Sequence, residues 1–267
     1  GVRTRHRAAP GEGCSDMGAR AAERALADAG LSAADLGLIV LSTFSADHRT
    51  PSSAALVQAK IGAHCRFLQV DAVCTGFIDA FSTAAALMEA MSIEYALVVS
   101  SDISSQYAHP DDFMMQCLFA DGAGAVVLKN EPGSPYGLKA AYACGDGSGY
   151  EALWIPGGGS KIPATPQSLA EGRQYVIWSH KDVYPFAVRR ATESSRIVAA
   201  QAGWALDEVN WFIPHQAGRN IILDVARALE QPADKFVINL DHVANTSSAT
   251  IPLAMDDEPD SIAHTLW

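Results

Sequence analysis

The chain has 267 residues, a length that suits one large α/β unit or two fused units of about 130 residues each. Hydrophobic residues make up 49% and charged residues 18%, which allows a large core and excludes a disordered chain. The net charge of −11 excludes the basic face that non-specific nucleic-acid binding needs, so no nucleic-acid partner is expected.

The opening residues Gly1-Val2-Arg3-Thr4-Arg5-His6-Arg7 lack the apolar core of a signal peptide. A helix period is expected over 16–29, followed by a short apolar strand over 38–41. A second helix (52–61) leads to a strand over 67–70. The stretch 74–91 is small or apolar almost throughout and reads as a buried helix. No apolar run approaches the roughly 20 residues that span a bilayer, so no membrane partner is expected. Strands follow over 95–100 and 123–128. The segment 131–173, rich in Gly, Pro and Ser, reads as a linker with a surface loop. Helices over 185–202 and 218–229 then flank strands over 209–213 and 236–240. The strands are continuous apolar runs, the pattern of strands covered on both faces as in a parallel sheet. Their alternation with helices indicates an α/β fold.

Cys14, Cys65, Cys74, Cys117 and Cys144 are odd in number and form no CxxC pair. They indicate a reduced, cytoplasmic protein with neither a disulfide framework nor a zinc site. Asp121-Gly122-Ala123-Gly124-Ala125 enters a strand rather than a helix, so it reads as a tight turn with close packing, not as a phosphate loop.

A weak internal repeat runs at an offset of 173 residues. Ala29-Gly30-Leu31 before Asp35-Leu36-Gly37-Leu38-Ile39-Val40 matches Ala202-Gly203-Trp204 before Glu208-Val209-Asn210-Trp211-Phe212-Ile213. Each copy continues with a helix, a second strand and a turn into another helix, as a duplicated α/β half would. The repeat places Cys74, His215 and Asn245 just beyond the carboxyl ends of strands, where α/β sheets bind ligands. Each has a plain alternative. Cys74 is a small core residue or a nucleophile, and a helix start behind it would favour its thiolate. Gly76 permits close approach of a substrate or a neighbouring segment. His215 packs or caps, or it shuttles a proton or donates to an oxyanion. Asn245 is an N-cap or a side-chain donor.

The stretches "GVRTRHRAAP", "VDAVCTGF", "FADGAGAVVL", "WFIPHQAG" and "ANTSSATIPLAM" together resemble β-ketoacyl-acyl-carrier-protein synthase III, a thiolase-fold condensing enzyme. The resemblance implies two duplicated α/β halves with mixed sheets and a buried helix bearing the catalytic Cys. The halves would be residues 1–130 and 131–267, and both ends read as truncated against the family. It implies that Cys74 takes an acyl group from acyl-CoA as a thioester. A malonyl thioester then loses carbon dioxide while His215 and Asn245 donate to its oxygen, and the carbanion attacks the acyl-Cys74 carbonyl. Thr50, Phe77, Gln216 and Arg219 are the implied substrate-binding positions. Thr50 stands where short-primer members often carry Phe, which implies acyl groups longer than acetyl. Neither cofactor nor metal is implied, acyl-CoA being a substrate. The implied partners are an acyl carrier protein or malonyl thioester and a second copy in a homodimer. Arg219 and Arg227 are available for carrier docking, although Pro185 replaces a common Lys.

Three other readings compete. A non-elongating acyltransferase of the same fold would have no use for Asn245. A papain-like hydrolase shares the Cys, His, Asn order, but the repeat disfavours it. The third is an inactive fragment or partner subunit.

Overall fold

The computed structural model describes residues 1–257 and the backbone of residues 265–266. The first half runs α1 (Cys14–Asp28), β1 (Leu38–Ser42), α2 (Ser53–Lys60), β2 (Arg66–Val70), α3 (Gly76–Met91), β3 (Tyr95–Ile103), α4 (Phe113–Leu118) and β4 (Asp121–Lys129). These strands form one sheet in the order β2-β1-β3-β4. β1 lies parallel to β2 and to β3, with Leu38 opposite Arg66 and Ala96. β3 and β4 are antiparallel from Tyr95–Lys129 to Ile103–Asp121. The sheet is therefore mixed, as the resemblance implies, with β4 the one strand of the four that runs against the parallel pattern. Covering both faces makes continuous apolar runs whatever the strand direction.

Period-two alternation divides the core. Ile39, Leu41, Leu97 and Val99 pack with Ala22, Leu26, Ala54 and Val57 of α1 and α2. Leu38, Val40, Ala96 and Val98 pack on Phe77, Ala80, Ala84 and Met88 of α3. The far side of α3 meets Ile213, Val237 and Ile251 of the second half, so α3 is the shared central layer. Val73–Met91, 19 residues at mean hydropathy 1.2, is long and apolar enough to cross a membrane by composition. That corrects the expectation that no run approaches such a length; here its apolarity serves contact with two partners.

The second half runs β5 (Leu153–Trp154), α5 (Pro166–Ala170), β6 (Ile177–Trp178), α6 (His180–Ala202), β7 (Trp211–Phe212), α7 (Arg219–Leu229), α8 (Leu240–Val243), α9 (Thr250–Asp256) and β8 (Thr265–Leu266). β5 pairs with β6, so the 131–173 excursion contains a strand and a short helix. A third cluster joins Ala199, Val209, Phe212, Ile222, Val225, Leu229 and Phe236. The strand expected over 209–213 shortens to β7, which pairs with β8. The strand expected over 236–240 reduces to one bridge between Phe236 and Phe212. A buried side chain replaces its ladder: Gln216 Nε2 donates to Val237 O (3.1 Å) and Gln216 Oε1 accepts from Asn239 N (3.2 Å).

The offset of 173 residues persists in space. β7 begins 173 residues after β1, and the 3-10 turn Val73–Thr75 before α3 matches the turn Ser247–Ala249 before α9 to within one residue. Residue for residue the two turns align Ser247 with Val73 and Ser248 with Cys74, one place beyond the 173 offset.

Candidate active site

Cys74 lies between β2 and α3, in the 3-10 turn Val73–Thr75. Val73 before it has φ +48°, a left-handed conformation costly for a β-branched residue. The second half repeats such strain, with φ +63° at Ala244, before Asn245, and +56° at Ser247. Strain of this kind persists only where the surroundings hold it, and it clusters at functional sites. The close approach expected at Gly76 is real. A Cβ there would lie 1.9 Å from Ser42 Oγ and 3.3 Å from Ser248 Cβ. Close packing also holds at Gly122 and Gly124, whose added Cβ would meet Thr246 and Pro252. The tight turn expected there is absent, because β4 starts at Asp121.

A cavity of about 370 Å³ opens beside the Cys74 turn. Cys74, Ile78, Phe81, His215, Phe236 and Ile251 contribute to its wall, which is mostly apolar. Its size is that of a small-molecule site. Cys74 and His215 therefore meet at one space. Asn245, buried, does not line it. Asn245 Oδ1 accepts from Ser247 N (2.9 Å), and its backbone bonds Leu118 O and Ala120 N, both at 2.9 Å. The Ser247–Ala249 turn abuts the Cys74 turn, so Ser247 stands between the three residues.

Loss of hydration pushes the Cys74 thiol up to about 12; the Asp102 charge adds to this, and the Ser247 hydroxyl opposes it. The thiolate expected from a helix start is not the resting form, because burial outweighs the α3 N-terminus. Burial also pulls His215 down to about 4, against a smaller raising effect of the Ser247 backbone, so the ring is neutral at neutral pH. His215 Nδ1 lies 2.6 Å from Thr250 Oγ1, and that hydroxyl is 2.9 Å from Ser247 O. The direction of its single proton sets the tautomer. Donated to Ser247 O, as the 2.9 Å bond has it, it leaves Oγ1 to accept Nδ1–H, and Nε2 is then the ring's acceptor; only a turn of the hydroxyl toward Nδ1 would make Nε2–H a donor.

The remaining expected positions divide. Phe77 is fully buried against the sheet and does not line the cavity. Gln216 is also fully buried, and its amide bonds Pro214 O (2.8 Å), Val237 O and Asn239 N. That carboxamide holds backbone directly behind His215. Arg219 and Thr50 are exposed and lie outside the cavity wall. Thr250 and Ser247 escaped the sequence reading, although the repeat pointed at Ser247 through its offset from Cys74. Among the described residues, no group of three or more His, Cys, Asp or Glu side chains could hold a metal ion.

The profile described as 3-oxoacyl-[acyl-carrier-protein (ACP)] synthase III matches residues 68–147, and that for its C-terminal region matches residues 199–261. The chain belongs to the 3-oxoacyl-[acyl-carrier-protein] synthase III family. It is 37% identical over 257 residues to the β-ketoacyl-[acyl-carrier-protein] synthase III of Rhizorhabdus wittichii, covering 96% of this chain and 78% of that one. The crystal structure of 3-oxoacyl-(acyl carrier protein) synthase III from Pseudomonas aeruginosa PAO1 superposes with a TM-score of 0.87. Identity is 33%, over 96% of this chain and 77% of that one. The priming β-ketosynthase of the R1128 polyketide pathway superposes at 0.84 with 28% identity, over 96% and 76%. The fold is thus the thiolase-type α/β fold, and the chain is a condensing acyltransferase of fatty-acid or polyketide biosynthesis.

Proposed function

We propose that Cys74 carries the acyl primer and that His215 and Asn245 stabilise the enolate formed from a malonyl-type thioester. The observation that carries this is the meeting of Cys74 and His215 at one apolar cavity, with Asn245 tied to Ser247 between them. Cys74 sulfur attacks the acyl-CoA carbonyl, and coenzyme A departs as its thiol with the proton that Cys74 gives up. In the malonyl thioester the bond to the carboxylate then breaks. Carbon dioxide leaves, and the electron pair moves onto the thioester oxygen. Neutral His215 and the Asn245 NH₂ meet that charge, with the Thr250 hydroxyl turned from Ser247 O to His215 Nδ1 so that Nε2–H donates. The resulting carbanion attacks the acyl carbonyl, a carbon–carbon bond forms, and the Cys74 thiolate is expelled and reprotonated. The sequence calls for neither metal nor cofactor.

The reading includes a division into halves at 130/131, where β4 has ended. It includes a homodimer in the cytoplasm. β2 is an edge strand with Phe67 41% exposed, and a second copy paired there would cover it. A carrier protein supplies the extender, with Arg219 and Arg227 exposed on α7 to meet its acidic surface. Thr50, small and exposed, favours primers longer than acetyl.

The test is mass spectrometry after incubation with a panel of acyl-CoAs, with Cys74→Ser as control. A mass gain on Cys74 that grows with medium-chain primers is expected. Absence of loading with every primer overturns the reading, and loading without release of labelled carbon dioxide from malonyl thioester leaves only an acyltransferase.

A further inference from the structure

The chemistry above makes no use of Asp102, a fully buried carboxylate on β3. Its Oδ1 accepts from Thr43 Oγ1 (3.1 Å), Phe44 N (3.0 Å) and Ser45 Oγ (3.3 Å), all in the segment leaving β1. Its Oδ2 accepts from Ser248 N (3.2 Å) and Ser248 Oγ (2.6 Å), 146 residues further along the chain. Five donors thus converge on one carboxylate, an acceptor-only group when ionised. Two of them are backbone N–H groups on opposite oxygens and cannot rotate away. A carboxamide of the same shape would leave one of the two unaccepted.

What this carboxylate holds is the turn that presents Asn245. Ser248 follows Ser247, which sits at positive φ and whose N–H holds Asn245 Oδ1. Without a fixed point such a turn relaxes, and the contact from Ser248 to Asp102 ties it to the half that carries Cys74.

We propose that Asp102 is a positioning residue that clamps the Asn245–Ser248 turn against the nucleophile-bearing half. The assignment rests on the roles given above to Cys74 and Asn245. Its charge has a second effect. Burial holds Cys74 and Tyr107 less acidic, and the Asp102 charge adds to the effect at both. Burial raises Asp102 itself to about 6, against the lowering effect of the donors around it. The clamp is therefore ionised at neutral pH, and the same charge opposes the Cys74 thiolate.

Asp102→Asn separates positioning from general support. The expected result has three parts. Condensation kcat falls by about 10²-fold, the effect of a displaced catalytic group. Acyl loading on Cys74 persists. The pH profile of Cys74 alkylation by iodoacetamide shifts to lower pH, because the opposing charge is gone. Unchanged condensation, or a parallel fall of condensation, loading and alkylation, overturns the proposal. If Asp102→Asn does not fold, as read by circular dichroism, Ser248→Ala decides. That variant removes the shortest bond to the carboxylate. Reduced condensation with loading retained supports the clamp, and unchanged condensation overturns it. Failure of the unaltered protein to load Cys74 or to release carbon dioxide would instead sink the functional reading.

Discussion

The two halves of the molecule position their reactive residues by different means. In the first half the backbone does it: β1, β2 and β3 form a regular ladder, and Cys74 sits where β2 turns into α3. In the second half, side chains do most of it, beside the backbone bonds of Asn245 to Leu118 and Ala120. β7 has two residues, and the backbone behind His215 is held by the Gln216 carboxamide. His215 itself is held by Thr250, and the Asn245 turn by Asp102 through Ser248. A backbone ladder spreads its stability over many bonds, whereas a side-chain brace concentrates it in a few. The first half should therefore fail by losing its core, and the second by losing geometry before stability.

Four experiments would break or sharpen that contrast. Phe77→Ala removes a fully buried ring shared by the sheet and α3. It should cost about 3–5 kcal/mol of stability by denaturant titration, and an intact midpoint would refute the ladder half of the comparison. Asn245→Ala should cost about 1–3 kcal/mol, because buried Ser247 N loses its acceptor, and lower condensation about 10²–10³-fold, the range for one oxyanion donor. Acyl loading should survive, and its loss would show that Asn245 serves the first step too. Gln216→Ala should cost about 1–3 kcal/mol, because Asn239 N and Val237 O lose their buried partner. Here kcat should fall more than the lost stability explains, as His215 shifts; a loss of stability with kcat intact would make Gln216 a plain core residue.

The smallest effect concerns pH. His215 is depressed from its usual 6.5 to about 4, so the unfolded chain binds its proton first and stability falls as pH drops from 6.5 toward 4. Asp102 is raised to about 6, so the folded chain binds its proton first and stability rises over part of the same window. The two slopes oppose each other. His215→Asn should flatten the acid-side fall in melting temperature, and an unchanged profile would show that other groups dominate.

Much of the first half was legible in the sequence. Short apolar runs separated by amphipathic or buried stretches located β1, β2, β3 and the helices between them within a few residues, because both sheet faces are covered. The direction of β4 was not legible, since burial on both faces erases the signature that separates parallel from antiparallel. The strand expected over 236–240 failed for a related reason. Its apolar run is real, but Gln216, a polar residue expected to bind substrate, lies buried and takes its backbone bonds. Cys74 and His215 were legible as residues at strand ends, whereas Asn245 follows α8 rather than the strand expected before it. The protonation of Cys74 was not, because a helix start argues for a thiolate while burial and Asp102 argue for a thiol.

By itself the sequence determined the order of elements, the duplication at an offset of 173, and the residue types able to form a thioester and stabilise an enolate. These are local properties of spacing, apolarity and functional groups. Only the tertiary structure decided that Ser247 sits between Cys74, His215 and Asn245, and that Asp102 and Ser248 join the halves across 146 residues. It also decided that the resting site is a neutral thiol beside a neutral imidazole. Desolvation and charge act through space, and the chain order leaves unstated which groups folding will bring within their reach.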